Sequence, residues 1–333
     1  MLVGPVFSRE LAITPRRPRS YIMRAVYVGA LLILIVTSWL VLTGTQVVRD
    51  IGDLARFGMI LFQILAPLQM ALAAFSSALM AASAVSQEKD RGTLELLLLT
   101  HLSNVELVLG KLFASLLQVF VLLAAAVPVF MLAMLLGGIS VEQIGRVFAV
   151  TAAGVLACGS LGSTLGLWRE KTFQALAMSV LALVLWLALG ELMAAGALGS
   201  AWFGLPAPTW AVALSPWQAI LAASRPHVEV DPALGVIGTP VNLFLLVALL
   251  ISAALNGIAV AMVRVWNPAR EADAQPREDE AWRRQTLWGG EPESPEAGAP
   301  PQAASPATAP AQAPPHRPGR TRQVWDNPVV WRE

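Results

Sequence analysis

The chain has 333 residues, of which 56% are hydrophobic and 14% charged, and its mean hydropathy is +0.62. Soluble domains carry about 25% charged residues. The tail beyond residue 266 holds a large share of the charges present, so residues 25–265 cannot cover a water-facing surface and a water-soluble enzyme is excluded. A net charge of +1 leaves no cationic excess for nucleic acid. Cys158 is the sole cysteine, which excludes an intrachain disulfide and a Cys-based zinc site. His101, His227 and His316 lie too far apart in sequence to suggest a metal centre.

Residues 1–24 come first. Pro5 suits a helix start, and apolar Val6, Phe7 and Leu11 with clustered Arg16, Arg17 and Arg19 suit a helix lying on an anionic leaflet. Six stretches then approach or exceed the roughly 20 apolar residues that cross a bilayer: about 25–43, 57–85, 107–136, 147–168, 173–193 and 241–266. The predicted fold is an all-α integral membrane protein with six transmembrane helices. Pro67 and Pro128 lie inside the second and third spans, where each removes a backbone hydrogen bond and is expected to kink its helix. The first span is too long for the apolar part of a signal peptide and no Ala-x-Ala site follows, so it is expected to stay as an anchor.

Short flanks on one side carry roughly twelve Lys and Arg, including Arg9, Arg16, Arg17, Arg19, Lys89, Arg91 and Arg264, against four on the other. This places both termini in the cytoplasm of a multi-pass plasma (inner) membrane protein. Gly162 and Gly166 in the fourth span form a pair that lets helix backbones approach, either within the chain or at a subunit interface. Residues 196–240 hold Trp202, Phe203, Trp210 and Trp217 among several prolines, as expected of a headgroup-level or re-entrant hairpin on the outer face. Residues 267–326 are rich in Pro, Ala, Glu and Arg and are expected to form a disordered cytoplasmic linker.

The cytoplasmic stretch 86–106 is the most informative. Glu88, Lys89, Asp90 and Arg91 form a charge cluster, Gly92 breaks it, and Thr93 caps a short helix carrying Leu94 to Leu99 around Glu95. Ser103 and Glu106 have the spacing of a capping box that starts the third span near Asn104. Those leucines must be covered, since each contributes roughly 1.5–3 kcal/mol on burial. The cover is either the membrane interface or a partner protein, with the neighbouring charges setting register.

These residues resemble a known family. Glu88-Lys-Asp-Arg-Gly-Thr-Leu-Glu-Leu-Leu-Leu-Leu-Thr100, followed by Leu102-Ser-x-x-Glu-Leu-Val-Leu-Gly-Lys111, is similar to the signature of ABC-2 type transporter permeases, the membrane subunits of ABC transporters. The similarity is dense over about 25 residues, and Leu214-Ser-Pro-Trp217 in the last outer loop also fits. His101 departs from it, standing where the family commonly has proline. The resemblance implies an elbow helix before the first span (Pro5, Phe7, Arg9, Arg16, Arg17, Arg19). It also implies a short cytoplasmic coupling helix that meets an ATPase through Glu88, Arg91, Gly92, Thr93, Leu94, Glu95, Leu97 and Leu98. The implied partners are a cytoplasmic ABC ATPase subunit holding ATP and Mg, and a second permease domain, identical or paralogous. The expected direction is export.

The sequence holds no Gly-x-x-x-x-Gly-Lys-Ser/Thr phosphate loop, so ATP hydrolysis is expected on another chain. Gly4-Pro-Val-Phe-Ser-Arg-Glu10 is echoed by Asn327-Pro-Val-Val-Trp-Arg-Glu333. This is either a repeated docking motif or the start of a second elbow in a longer, duplicated permease. Within the spans, Glu191 near the outer end of the fifth is a functional candidate, Lys111 can snorkel inward, and Gln63, Gln69 and Gln118 can bond between helices or face a path. A non-transporting membrane scaffold that recruits cytoplasmic proteins is the alternative reading.

Overall fold

A computed structural model of the chain describes residues 18–45, 50–94, 98, 103–202, 204–227 and 232–267. Six helices are long and apolar enough to cross a membrane. They are α1 (Pro18–Thr45), α2 (Ile51–Asp90), α3 (Asn104–Leu135), α4 (Val141–Trp168), α5 (Thr172–Ala194) and, after two short helices, α8 (Pro240–Trp266). The chain is an all-α, multi-pass membrane protein. The residues expected for most of the elbow, the linker 268–326 and the heptad 327–333 lie outside the described residues.

Several helices begin before or outlast their apolar runs. Hydropathy falls at the first charge, whereas the i to i−4 hydrogen-bond ladder continues through Asp53, Arg56 and Arg146 and out to Asp90. α1 starts at Pro18, so residues 18–24, including Arg19, form its first turns. α2 has 40 residues and is ~60 Å long, twice the ~30 Å hydrocarbon layer. Its polar end from Gln87 to Asp90 can therefore stand beyond the hydrocarbon. α2 and α3 run as continuous helices through Pro67 and Pro128. Ser103 caps α3 and Ser140 caps α4, each in a reciprocal capping box, with Glu106 and Gln143 as the third residues.

α2 and α4 are the most enclosed spans, and α1 and α5 the least. The α2–α4 seam forms because α4 presents small residues to α2. A Cβ added to Gly162 would lie 2.1 Å from the Ala78 carbonyl oxygen, and one on Gly166 would lie 2.8 Å from that of Ala82. These glycines thus pack within the chain. Toward the start of α2, Phe62 of α2, Phe130 of α3 and Phe148 of α4 make successive edge-to-face contacts with centroids 5.7 and 5.3 Å apart. The outward apolar faces of α1 and α5 have the composition that lipid requires.

The segment between α5 and α8 folds back into the bundle. A two-residue antiparallel ladder (β1 Ala201–Trp202, β2 Leu205–Pro206) leads into α6 (Ala207–Leu214) and α7 (Pro216–Ala223), joined at Ser215. Their inner faces are small or aliphatic: Ala207, Ala211, Ala213, Ala219, Ile220 and Ala223 are buried. Ser215 packs so closely on Gly190 of α5 that an added Cβ there would lie 2.4 Å from the Ser215 Cβ. Pro216 approaches Gly154 of α4, which is ~20 Å along a ~42 Å helix. The turn therefore reaches about half the depth of α4.

Candidate functional site

The end of α2, the starts of α3 and α5 and the ends of α4 and α8 meet in a polar cluster. Three consecutive residues there each reach a different helix. Glu88 pairs with Lys111 of α3, whose side chain is 6% exposed. Lys89 Nζ donates to the Leu167 and Arg169 carbonyls at 2.6 and 2.8 Å, satisfying the orphan acceptors at the end of α4. Asp90 Oδ2 accepts from the Thr172 hydroxyl at the start of α5. α8 joins separately. Arg264 Nε donates to Asn104 Oδ1 at 2.8 Å, Asn104 Nδ2 donates to the Val260 carbonyl at 3.2 Å, and Asn267 Nδ2 donates to Leu167 at 3.4 Å.

The loop leaves this cluster by a glycine turn. Arg91 caps α2, and Gly92 follows at φ +69, a left-handed conformation that glycine adopts without Cβ strain. The Gly92 amide donates to the Lys89 carbonyl at 2.9 Å, and the Thr93 hydroxyl donates to the Glu88 carbonyl at 3.2 Å. Thr93 and Leu94 are helical, and Leu98 is again helical. Glu95, Leu96, Leu97 and residues 99–102 lie outside the described residues. Leu94 is 1% exposed and packs with Val85, Leu107, Val108, Leu167, Ala259 and Val263, from α2, α3, α4 and α8. Leu98 is half-buried against the same cluster.

The structure thus brings together Glu88, Gly92, Thr93, Leu94, Leu98, Ser103 and Glu106 at one end of the bundle, and leaves Arg91 exposed. Of the sequence cluster, Glu88, Lys89 and Asp90 bond inside the chain, which leaves Arg91 to face outward. The cross-helix partners Asn104, Thr172, Arg264 and Asn267 carry no motif. Their signal is positional, as polar residues at the ends of apolar runs, and which of them pair is not readable from that.

A model of the family described as ABC-2 family transporter protein matches residues 53–258. The match starts in α2, covers the glycine turn and runs into α8, taking in more than half of the chain. The chain belongs to the ABC-2 transporter family. It is a permease subunit of an ABC transporter, of the membrane type that lacks the ATPase motif. No curated protein matches the chain significantly.

The permease also has a cavity of about 440 Å³ between α2, α5 and the α6–α7 turn. Its walls are apolar apart from Glu191, whose Oε1 accepts from Gln218 Nε2 of α7 at 2.8 Å. Trp186 of α5 pins the turn by donating Nε1–H to the Leu214 carbonyl at 2.8 Å. Of the glutamines within the spans, Gln118 reaches Met23 Sδ of α1 and Gln63 is exposed. Gln69 is fully enclosed, with neither amide atom hydrogen-bonded.

Proposed function

We propose that this permease couples its spans to a separate cytoplasmic ATPase through the loop 86–106, with ATP and Mg held by that partner, and that it works as an exporter. The observation that carries the reading is the rooting of the short helix after Gly92. Leu94 is sunk among four spans while Glu88, Lys89 and Asp90 tie the end of α2 to α3, α4 and α5. A force applied at the exposed Arg91 and Thr93, on either side of Gly92, reaches those spans together through Leu94 and the ties made by Glu88, Lys89 and Asp90. In this reading Glu95 and Leu97 belong to the same coupling segment, Leu94 and Leu98 root it, and Ser103 with Glu106 set its exit into α3. Pro5, Phe7, Arg9, Arg16, Arg17 and Arg19 form the elbow on the inner leaflet.

Most basic residues of the short flanks fall at the end that carries Asp90, Asn104 and Trp168, which supports a plasma-membrane orientation with both termini in the cytoplasm. A second permease domain, identical or paralogous, would complete the path. Export is supported by the position of the cavity: it occupies the outer part of the bundle while the inner ends are drawn together, so parting of α2 and α5 would release cargo outward.

The test is site-specific photo-cross-linking of the full chain in native membranes. A benzophenone side chain at Arg91 is expected to capture a nucleotide-binding subunit, and the same group at Leu181 on the exposed face of α5 is expected to capture lipid. Capture of lipid alone at Arg91, with the chain folded and inserted, would refute coupling through this loop.

A further inference from the structure

We infer that the cavity between α2, α5 and the Ser215 turn binds a lipophilic organic cation, its apolar body against Met70, Phe75, Leu183, Leu187 and Trp217 and its charge beside Glu191. The inference rests on the transport reading above and names the class of cargo.

Glu191 is the single titratable group in the cavity lining. Its Oε1 is engaged by a neutral carboxamide, Gln218 Nε2 at 2.8 Å. The ion pairs Glu88 with Lys111 and Glu142 with Arg146 lie elsewhere, and among the described residues no basic nitrogen stands at ion-pair distance from Glu191. A carboxylate beside apolar walls selects by charge. Glu191 is itself exposed, at the rim of the cavity, where an anion is repelled, a neutral molecule gains nothing from the charge, and a cation is attracted.

A bare inorganic cation fits poorly, because it needs several oxygen ligands where the lining offers one carboxylate. No group of three or more His, Cys, Asp and Glu side chains is gathered among the described residues. The rest of the lining suits a hydrophobic body, and Trp217 and Phe75 supply aromatic rings to which a diffuse positive charge is attracted. The volume of about 440 Å³ lies in the ~300–1,000 Å³ range of small-molecule sites.

Depth agrees with this chemistry. Phe75 lies ~22 Å from the inner end of α2 and Glu191 ~28 Å from the inner end of α5. The cavity thus runs from the interior of the bundle to the outer interface, where an amphiphilic cation can keep its charge near water.

The test uses the purified full chain in phosphatidylcholine nanodiscs, with empty nanodiscs as the blank. The probes are tritiated tetraphenylphosphonium and tetraphenylborate, ions of the same shape and opposite charge. The expected result is saturable tetraphenylphosphonium binding without competition from tetraphenylborate. Glu191→Gln should raise its Kd about tenfold, and Leu187→Trp, which fills the cavity, should abolish binding. Circular dichroism and monodispersity report that both variants are folded. Equal uptake of the two ions, an unchanged Kd in Glu191→Gln, or occupancy by lipid or a second copy that blocks all binding would overturn the proposal. Glu191-dependent binding by a chain that cross-links to no ATPase would sink the coupling reading and leave the cation site standing.

Discussion

Replacing Gly162 by Ala puts the tightest helix contact of the permease to the test. In an unpacked helix, Gly→Ala is favourable by about 1 kcal/mol, because glycine loses more backbone freedom on folding. At Gly162 the new Cβ would sit 2.1 Å from the Ala78 carbonyl oxygen and 3.0 Å from the Ala78 Cα, both backbone atoms of α2. Neither can rotate away. Relieving the contact requires α2 and α4 to part by about 1 Å along the most enclosed seam of the bundle, and overpacking of this kind costs about 1–3 kcal/mol.

The net expectation for Gly162→Ala is a loss of up to about 2 kcal/mol, with the α2–α4 seam loosened from Ala78 toward Ala82. Gly257 of α8 is the matched control, since a Cβ added there meets nothing within 4 Å. Gly257→Ala should be neutral or stabilising by up to ~1 kcal/mol. The assay is reversible unfolding of the purified chain in mixed micelles, titrated with sodium dodecyl sulfate and followed by tryptophan fluorescence. If Gly162→Ala matches or exceeds the stability of Gly257→Ala, the close-packing argument for α2 against α4 is wrong.

Reversing one partner of the Glu88–Lys111 pair, by Glu88→Lys or Lys111→Glu, should lower the same unfolding midpoint, whereas the double reversal should recover at least half of the loss; a double variant no better than either single would deny the pairing. Gln69→Met should raise the unfolding free energy by about 1–2 kcal/mol, because it replaces an enclosed and unpaired carboxamide by an apolar side chain of similar size; a loss of stability would mean that Gln69 has a partner. Trp186→Phe removes the hydrogen bond that holds the Leu214 carbonyl. In a Ser215→Cys background it should speed labelling of position 215 by an impermeant maleimide added outside, and unchanged labelling would show that packing on Gly190 alone holds the turn.

Much of the architecture was written in local signals. Apolar runs near or above twenty residues separated by basic flanks dictate six spans, because a bilayer leaves backbone groups no partner outside a helix. Ser103 with Glu106 marks the start of α3 because capping is a four-residue affair. Gly92 ends α2 because a left-handed residue there suits glycine. Helix ends were less legible: α2 begins six residues before its apolar run and α4 begins before Val147, since charge interrupts hydropathy without interrupting a hydrogen-bond ladder.

Only the tertiary structure decided where the polar residues at those ends point. The charge cluster Glu88, Lys89 and Asp90 reads equally well as a surface for a partner or as a set of internal ties. Its three residues reach α3, α4 and α5 because successive side chains on a helix turn by ~100°, and the bundle puts a different neighbour in each direction. Gly162 and Gly166 likewise fit an intramolecular seam or a subunit interface until α2 is seen against them. Glu191 was visible as a charge near the membrane surface, but its apolar cavity is assembled from α2, α5 and a turn more than twenty residues further on. Span number, helix caps and the glycine turn follow from neighbours in sequence; the ties, the seam and the cavity arise from contacts between residues distant along the chain, which folding alone brings together.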